Sequence, residues 1–189
     1  GGVWNRNKNH VNKIVKKDLL QQIENGINEM TREVPNLDVF DKKRSRMNAG
    51  YTKYYSLACE EVIIYDGRVG AALGLITKEF LRQKLHSFPK APKVPEKLSF
   101  QWGRKGSEKT QGKQRIRDRD SERNPSDELY KFSKLSGDRK WAQSNIRANW
   151  IIVEALRRAK RINPEITWAS EEIDIRMIEA ALFTIGYSL

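Results

Sequence analysis

Cysteine and histidine are scarce in this chain of 189 residues, which contains one cysteine and two histidines. A single cysteine excludes an intrachain disulfide and a four-cysteine iron–sulfur cluster. His10 and His86 stand far apart, and neither has a further ligand at helical spacing. We therefore expect no metal site, no other cofactor and no serine or cysteine hydrolase. Cys59 lies in a half-apolar stretch and is expected to be a buried structural thiol.

Long apolar runs, internal repeats and a convincing strand ladder are also missing. We recognise no transmembrane span and no signal peptide, so we expect a soluble, cytoplasmic protein that does not engage the membrane. The chain begins at Gly1 rather than at methionine, which is compatible with a tag remnant or with a cut fragment that lacks an upstream segment.

Positive charge, in contrast, is abundant. The chain has 36 Lys and Arg against 24 Asp and Glu, a net charge of +12. Such an excess favours a polyanionic partner, because neutralising phosphates releases their counterions. Hydrophobic residues make up 38% of the chain, which is enough for a core, and the length fits one domain.

Apolar periodicity predicts an all-α protein. We expect helices over residues 9–33, from Asp66 onward, from Ser126, over residues 140–160 and from Ser170 to a stop at Gly186. Residues 62–65 form the one strand-like run. The buried side chains are expected to be Val69, Ala72, Leu73, Ile76 and Phe80 in the central helix, Ile146, Trp150, Val153 and Leu156 in the next long one, and Ile175, Ile178, Leu182 and Ile185 in the last.

Two basic segments stand out. Residues 42–46 contain Lys42, Lys43, Arg44 and Arg46, which form either a solvated face or a set of phosphate contacts. Residues 104–123 contain eight Lys and Arg against four Asp and Glu, and we interpret residues 88–125 as a long basic loop or insertion in a single helical domain spanning residues 1–189. Trp102 is expected to pin this loop to the domain. Its predicted phosphate contacts include Arg104, Lys105, Arg115 and Arg117.

The central stretch, residues 48–80, places a lysine and an aspartate at two helix starts. Lys53 follows Gly50 at the beginning of one predicted helix. Asp66 comes thirteen residues later, at the N-cap of the next, where a carboxylate bonds the free amides of the first turn. The simplest interpretation of Asp66 is this capping role alone.

The same stretch resembles the helix-hairpin-helix DNA glycosylases. The string GYTK at residues 50–53 is similar to their lysine segment, and YDGRVGAAL at residues 65–73 is similar to their aspartate segment. Together with IEAALFTIG at residues 178–186, these strings resemble a divergent 8-oxoguanine-glycosylase-like group. Of the glycine-rich hairpin turn of better-known members, only Gly50 is present.

This resemblance implies a helix-hairpin-helix, DNA-glycosylase-like helical bundle that flips a damaged or modified base out of a DNA duplex and excises it. Lys53 and Asp66 would be the catalytic residues, with or without Schiff-base lyase activity, and Arg68 would pair with Asp66 or contact a phosphate. Oxidised guanine is the base that the resemblance suggests. A modified phage base, and with it a role in phage defence, is also compatible with the sequence.

Two other functions fit parts of the sequence. A non-catalytic, helical nucleic-acid-binding subunit of a larger nucleoprotein complex would account for the charge and the helices. In that case Lys53 contacts phosphate and Asp66 only caps a helix. A metal-dependent nuclease using Glu60, Glu61 and Asp66 is the third hypothesis, and it ranks last because such enzymes usually place these acids on a mixed sheet.

Overall fold

Helices make up most of the structure. A computed structural model of the chain describes residues 2–14, 16–84, 93–104, 124–162 and 175–188. The α-helices in these residues are α1 (Gly2–Lys13), α2 (Lys16–Thr31), α3 (Tyr51–Ala58), α4 (Gly67–Lys84), α5 (Asp138–Ile162) and α6 (Ile175–Ser188). Strand β1 (Trp102–Arg104) pairs in parallel with β2 (Lys134–Leu135). The predicted all-α class is confirmed, whereas the helix-hairpin-helix arrangement stays a prediction.

The chain divides into two compact units. The first consists of Gly1–Tyr65 and Gly137–Met177, and the second of Asp66–Ser136 and Ile178–Leu189. The first unit therefore holds α1, α2, α3, α5 and the beginning of α6. The second holds α4, the two-stranded sheet and the rest of α6. Most of the predicted basic loop, residues 88–92 and 105–123, lies outside the described residues.

The N-terminal helix expected over residues 9–33 is instead two helices in the first unit. The N–H of Ile14 donates to the carbonyl of Val11 over 3.3 Å, and a bond of this i to i+3 type tightens and ends the last turn of α1. Helix α2 ends at Thr31, where the side-chain hydroxyl donates to the Ile27 carbonyl over 3.1 Å. Pro35 lies beyond Thr31 and therefore does not determine where α2 ends.

Glu29 ties the end of α2 to the chain that follows it. One carboxylate oxygen accepts from the Asn36 N–H at 2.6 Å and the other pairs with Arg32 at 2.7 Å. Burial alone would raise the pKa of Glu29, but these two partners outweigh burial and lower that pKa below its usual value. The ionised form of Glu29 therefore stabilises the folded state.

We expect Glu29→Gln to weaken the pH dependence of stability. Because the folded-state pKa of Glu29 is lowered, its contribution is complete above the pKa of the unfolded chain and is lost as pH falls through the folded-state value. Urea midpoints of the variant and the parent should therefore differ at pH 7 and approach each other as pH falls below the usual pKa range of a glutamate. Glu24→Gln, at an exposed position of the same helix, is the control, and an equal effect in both variants would contradict the assignment.

Residues 62–65, the one strand-like run of the sequence, pair with no strand in the described part of the chain. These residues form neither helix nor strand and are largely buried, and in the described chain side chains rather than another strand bond their backbone. The N–H of Ile63 donates to the Asn149 carbonyl oxygen at 3.1 Å, and the carbonyl of Ile63 accepts from the Asn145 amide at 3.1 Å. Both asparagines are one turn apart on α5, and each is at least 96% buried.

Tyr65 ends this segment and is held in the same way. Its N–H donates to the Thr52 hydroxyl of α3 at 2.8 Å, and its carbonyl accepts from the Trp141 indole of α5 at 2.8 Å. Residues 62–65 thus bond to α3 and α5 within the first unit. Buried backbone groups need such partners, so these polar side chains take the place of a sheet.

In the second unit, the buried face of α4 differs from the predicted stripe. Val69, Ala72 and Leu73 are buried as expected, but Ile76 and Phe80 are each 48% exposed, and Thr77 and Leu81 are buried instead. Small residues explain the shift. A Cβ added to Gly74 would lie 2.8 Å from the ring of Pro125, so the absence of a side chain there lets the 124–136 segment pack closely on this side of α4.

The helix expected from Ser126 is also wrong. The Ser126 hydroxyl accepts from the Phe132 N–H at 2.9 Å, and the Asp127 carboxylate accepts from the Tyr130 N–H at 2.7 Å. Short polar side chains offer the backbone such local bonds, which compete with helix formation. Residues 124–133 are therefore turns that lead into β2.

Trp102 pins β1 to the second unit, as predicted. Its side chain is 3% exposed, and its indole N–H donates to the Phe132 carbonyl at 3.0 Å. It belongs to a core cluster with Ala71, Leu81, Tyr130 and Phe132. The neighbouring Gly103 has a positive φ of 53°, and a Cβ added to Gly67 would lie 2.8 Å from the Gly103 Cα. Two glycines thus allow the first residue of α4 to touch β1.

The two C-terminal helices keep part of their predicted faces. In α5, Ile146 is buried, but Trp150 is 48% exposed and the asparagines share the buried side. In α6, Ile175 and Leu182 are buried, Ile185 is 38% exposed, and the helix continues past Gly186 to Ser188. The predicted cap of this helix at Ser170 lies outside the described residues.

Candidate functional site

Lys53 is the third residue of α3, so its predicted place at a helix start is confirmed. The Asn48 side chain accepts from the N–H groups of Gly50 and Tyr51 at 2.9 and 3.4 Å, which orders the entry to the helix. Lys53 is exposed. Its amine has no ion pair or hydrogen bond within the described ranges, so it is available to an external partner.

The face of α3 opposite Lys53 is anchored by tyrosines. Tyr55 is completely buried, its hydroxyl donates to the Arg46 carbonyl at 3.1 Å, and its ring packs against Gly26 of α2. Burial raises the pKa of Tyr55 far above its usual value, so the hydroxyl stays a donor. Tyr54 and Leu57, in contrast, are 44% and 89% exposed.

Arg176 holds the end of α3. Its guanidinium donates to the Val62 carbonyl at 2.9 Å, to the Cys59 carbonyl at 3.4 Å and to the Ser56 carbonyl. The last carbonyls of a helix have no partner within the helix, and a cation there is favoured by the helix dipole. One side chain of α6 thus fixes the chain between α3 and residues 62–65 within the first unit.

Cys59 is buried, as predicted, with 8% of its surface exposed. Burial raises the pKa of its thiol, and the nearby Arg176 only partly opposes this. The thiol form therefore dominates at neutral pH, which suits a structural role and not a nucleophile.

Asp66 caps α4 in the second unit, which confirms its predicted position. Its Oδ1 accepts from the N–H of Arg68 at 2.8 Å and from the N–H of Val69 at 3.3 Å. Its Oδ2 bonds to nothing in the part of the chain that the structure describes. Asp66 belongs to a different compact unit from Lys53, so the surroundings of each residue are described within its own unit.

The second unit also brings together two of the strings that carry the family resemblance. Gly186 of α6 packs directly on the carbonyl of Arg68, two residues after Asp66, and a Cβ at position 186 would lie 3.1 Å from the Arg68 Cα. The guanidinium of Arg68 lies 5.4 Å from the ring centre of Tyr187. Arg68 therefore contacts an aromatic ring, and within the described residues it forms no ion pair with Asp66.

The basic run before α3 separates into exposed and paired residues. Lys42 and Lys43 are exposed. Arg44 pairs with Asp41 at 2.7 Å at the surface. Arg46 pairs with Asp138 at 2.6 Å, and the two side chains are only 16% and 9% exposed. This inward position gives Arg46 a structural role, so we leave it out of the proposed DNA-contacting surface.

The other predicted DNA contacts lie at the edge of the described chain or beyond it. Arg104 is the last residue of β1, but its side chain is not among those that the structure describes. Lys105, Arg115 and Arg117 fall wholly outside the described residues. Their proposed contacts with phosphate remain predictions.

The structure offers little to the nuclease hypothesis. Within the described ranges, no three His, Cys, Asp or Glu side chains gather in a group that could hold a metal ion. Glu61 pairs with Arg157 at 2.8 Å. None of the described helices is both long and apolar enough to cross a bilayer.

Three important residues were missed by the sequence analysis: Asn145, Asn149 and Arg176. Asn145 and Asn149 carried a recognisable signal, because two amides four residues apart share a helix face with the apolar Ile146 and Ile152. Buried amides need partners, so this pattern could have predicted that they bind irregular backbone. Arg176 had no comparable signal, since its three carbonyl partners lie more than 110 residues away in sequence.

The chain was compared with known proteins in three ways, and no family model, no curated protein and no solved structure matches it.

Proposed function

We propose that the protein is a DNA glycosylase that flips out and excises a damaged or modified base, with Lys53 and Asp66 as its catalytic residues. The observation that carries the proposal is the position of Asp66 at the head of α4. One carboxylate oxygen bonds two amides of the first turn, and the other has no partner in the described chain. The family that the sequence resembles places its catalytic aspartate at the head of a helix.

The proposed chemistry assigns a separate role to each residue. The amine of Lys53 attacks C1′ of the flipped-out nucleotide, the N-glycosidic bond breaks, and the base leaves with the bonding electrons and takes up the proton that the amine releases. The negative charge of Asp66 stabilises the positive character that develops at the sugar. Opening of the sugar ring then converts the C1′–amine bond into a Schiff base.

Three features support DNA as the substrate. The net charge of +12 favours a polyanion. Lys42 and Lys43 are exposed close to α3 in sequence. The guanidinium of Arg68 lies beside the ring of Tyr187, two residues from Asp66, where it can reach a phosphate because it is not paired with that aspartate.

The Asp66 cap also favours one alternative, a non-catalytic nucleic-acid-binding subunit. Capping the first turn of α4 with two hydrogen bonds is by itself a sufficient structural role for Asp66. In this case the exposed Lys53 would be one phosphate contact among many. The two functions differ in what single substitutions at these positions should do.

Borohydride trapping in EDTA tests the proposal, using duplexes that carry an abasic site or one of a panel of modified bases. We expect a covalent adduct that Lys53→Ala abolishes. Lys140→Ala is the matched control, because Lys140 is also an exposed third residue of a helix, α5. Asp66→Asn keeps an oxygen for the cap but removes the charge, and should slow base excision about 100-fold or more.

Two results would count against the proposal. An adduct that persists in Lys53→Ala would show that Lys53 is not the nucleophile. Salt-sensitive DNA binding without adduct or base release from any duplex would favour the non-catalytic subunit.

A further inference from the structure

Helix α1 contacts the rest of the first unit through one face. Asn7 exchanges side-chain hydrogen bonds with Asn48 over 3.2 and 3.0 Å, and the ring of His10 lies 6.0 Å from the ring of Tyr51 in a T-shaped arrangement. Asn7 and His10 are partly buried, whereas every other α1 side chain that the structure describes is exposed. Most of the surface of α1 is therefore open to solvent.

The outward face of α1 carries a row of three asparagines, Asn5, Asn9 and Asn12. Their spacing of four and three residues places them on one side of the helix. Unlike the side chain of Asn7, these three side chains have no hydrogen-bond partner in the described chain. Asparagine is also a poorer helix former than alanine, so the stability of α1 does not account for the row. It presents amide donors and acceptors to an external partner.

Cations flank the asparagine row on both sides. Successive residues of a helix are about 100° apart, which puts Lys8 on one side of the row and Arg6 and Lys13 on the other. All three are exposed and form no ion pair within the described residues, and α1 contains no Asp or Glu. A partner that faces the row therefore meets positive charge on both sides, which complements the two phosphate backbones that border a DNA groove.

The row also suits the major groove of duplex DNA. That groove admits an α-helix, and an asparagine side chain can bond N6 and N7 of adenine together. A rise of about 1.5 Å per residue puts Asn5 and Asn12 about 10 Å apart, enough to span about three base pairs at 3.4 Å each. We propose that α1 is a recognition helix that enters the major groove and reads adenines through Asn5, Asn9 and Asn12. The choice of DNA as the partner rests on the proposed function.

Asn48 connects this helix to the proposed catalytic lysine within the first unit. Besides its bonds to Asn7, its side-chain oxygen accepts from the N–H groups of Gly50 and Tyr51 at the start of α3. Helix α3 carries Lys53. Bases read by α1 are therefore held in a fixed relation to Lys53, and the enzyme should excise a base in a preferred sequence context.

Selection from a library of DNA duplexes with a randomised central segment, at one fixed salt concentration, tests the recognition helix. Sequencing of the duplexes bound by the full chain should show adenine enriched at neighbouring positions. Asn9→Ala should reduce the preference at one of these positions about tenfold and keep the others. Alanine is the better helix former, so α1 stays folded in this variant. Asn28→Ala, at an exposed position of α2, is the matched control and should leave the preference unchanged.

Lys8→Ala provides a second, independent readout. Loss of one phosphate contact should weaken binding to all sequences about equally and lower the slope of log K against log salt by about 0.9, with the adenine preference retained. Lys140→Ala, at an exposed position of α5, is the control. A salt slope that Lys8→Ala leaves unchanged would contradict the phosphate contact.

Three results would overturn the recognition helix. The first is no enrichment of any sequence by the parent, and the second is an adenine preference that persists in Asn9→Ala. The third is binding of single strands as tightly as duplexes, with binding lost in Trp4→Ala. Trp4 is 76% exposed on α1, and stacking of unpaired bases on its ring would then replace groove reading.

The same variants separate this inference from the proposed function. Adenine-selective duplex binding with the expected variant effects, but without base excision from any duplex, would support the recognition helix and refute the glycosylase. Excision that does not depend on the flanking sequence and is unchanged in Asn9→Ala would support the glycosylase and refute the recognition helix.

Discussion

Replacing Asn145 by leucine is expected to lower the free energy of unfolding by about 3–4 kcal/mol. Asn145 is completely buried. Its amide nitrogen donates to the Ile63 carbonyl at 3.1 Å, and its carbonyl oxygen lies 3.2 Å from the Thr52 hydroxyl. Leucine has a similar size but leaves these buried groups short of partners, and each unsatisfied group costs about 1–3 kcal/mol. Urea denaturation at pH 7 measures the loss.

Gln143→Leu, on the same helix, is the control for this substitution. Gln143 is only partly buried and has no hydrogen-bond partner in the described chain, so we expect a change within about 0.5 kcal/mol. A second test is the double variant with Thr52→Val. Thr52 and Asn145 share one network, so their effects should not add. Strict additivity, or a mild effect of Asn145→Leu, would mean that this network does not hold residues 62–65.

Gly186→Ala is expected to destabilise the protein by about 2 kcal/mol or more, although alanine is the better helix former. Gly186 lies inside α6, where the change alone should stabilise the helix by about 1 kcal/mol. Its backbone, however, packs directly on the Arg68 carbonyl, which an added Cβ would overlap. Backbone cannot change rotamer to escape, so α6 or the start of α4 has to move.

Thermal unfolding and base excision together measure the consequence of Gly186→Ala. A shift at Arg68 would disturb the adjoining cap at Asp66, so excision should fall with stability if the proposed function holds. Thr184→Ala is the control, because position 184 is exposed on the same helix and, among the described residues, its hydroxyl bonds only the Ala180 carbonyl. A stabilised Gly186→Ala variant would contradict the close packing.

Sequence reasoning succeeded where local rules decide the structure. The helix start at Lys53, the cap at Asp66, the burial of Cys59 and the pinning role of Trp102 were all predicted and are confirmed. In each case the signal lay within a few residues of the feature: a capping side chain, a helical apolar pattern, or an aromatic residue beside a polar loop.

Sequence reasoning failed where contacts between residues far apart in the sequence decide the structure. Residues 62–65 were recognised as strand-like, but nothing local showed that side chains of α3 and α5 bond their backbone, and no strand among the described residues pairs with them. Gly186 was interpreted as a helix stop because glycine commonly ends helices. Its close contact with Arg68, more than 100 residues away, gave no local signal. In α4, glycine at position 74 lets Pro125 approach and changes the face that is buried.

The candidate site shows the same division. The sequence supplied Lys53 and Asp66, but not the amide of Asn149 or the guanidinium of Arg176. Their partners come from separate parts of the chain, so only the folded structure reveals which backbone groups they bond.

The way in which residues 62–65 are held has a consequence for the order of folding. Their bonds to Trp141, Asn145 and Asn149 span 76 to 86 positions of the chain. Contacts of such high sequence separation slow folding, because a long loop must close before they form. On the ribosome, this segment emerges well before α5 and waits for it. We therefore expect amide protection at Ile63 and Tyr65 to appear among the last steps of refolding, after the shorter-range contacts within α2 and α3.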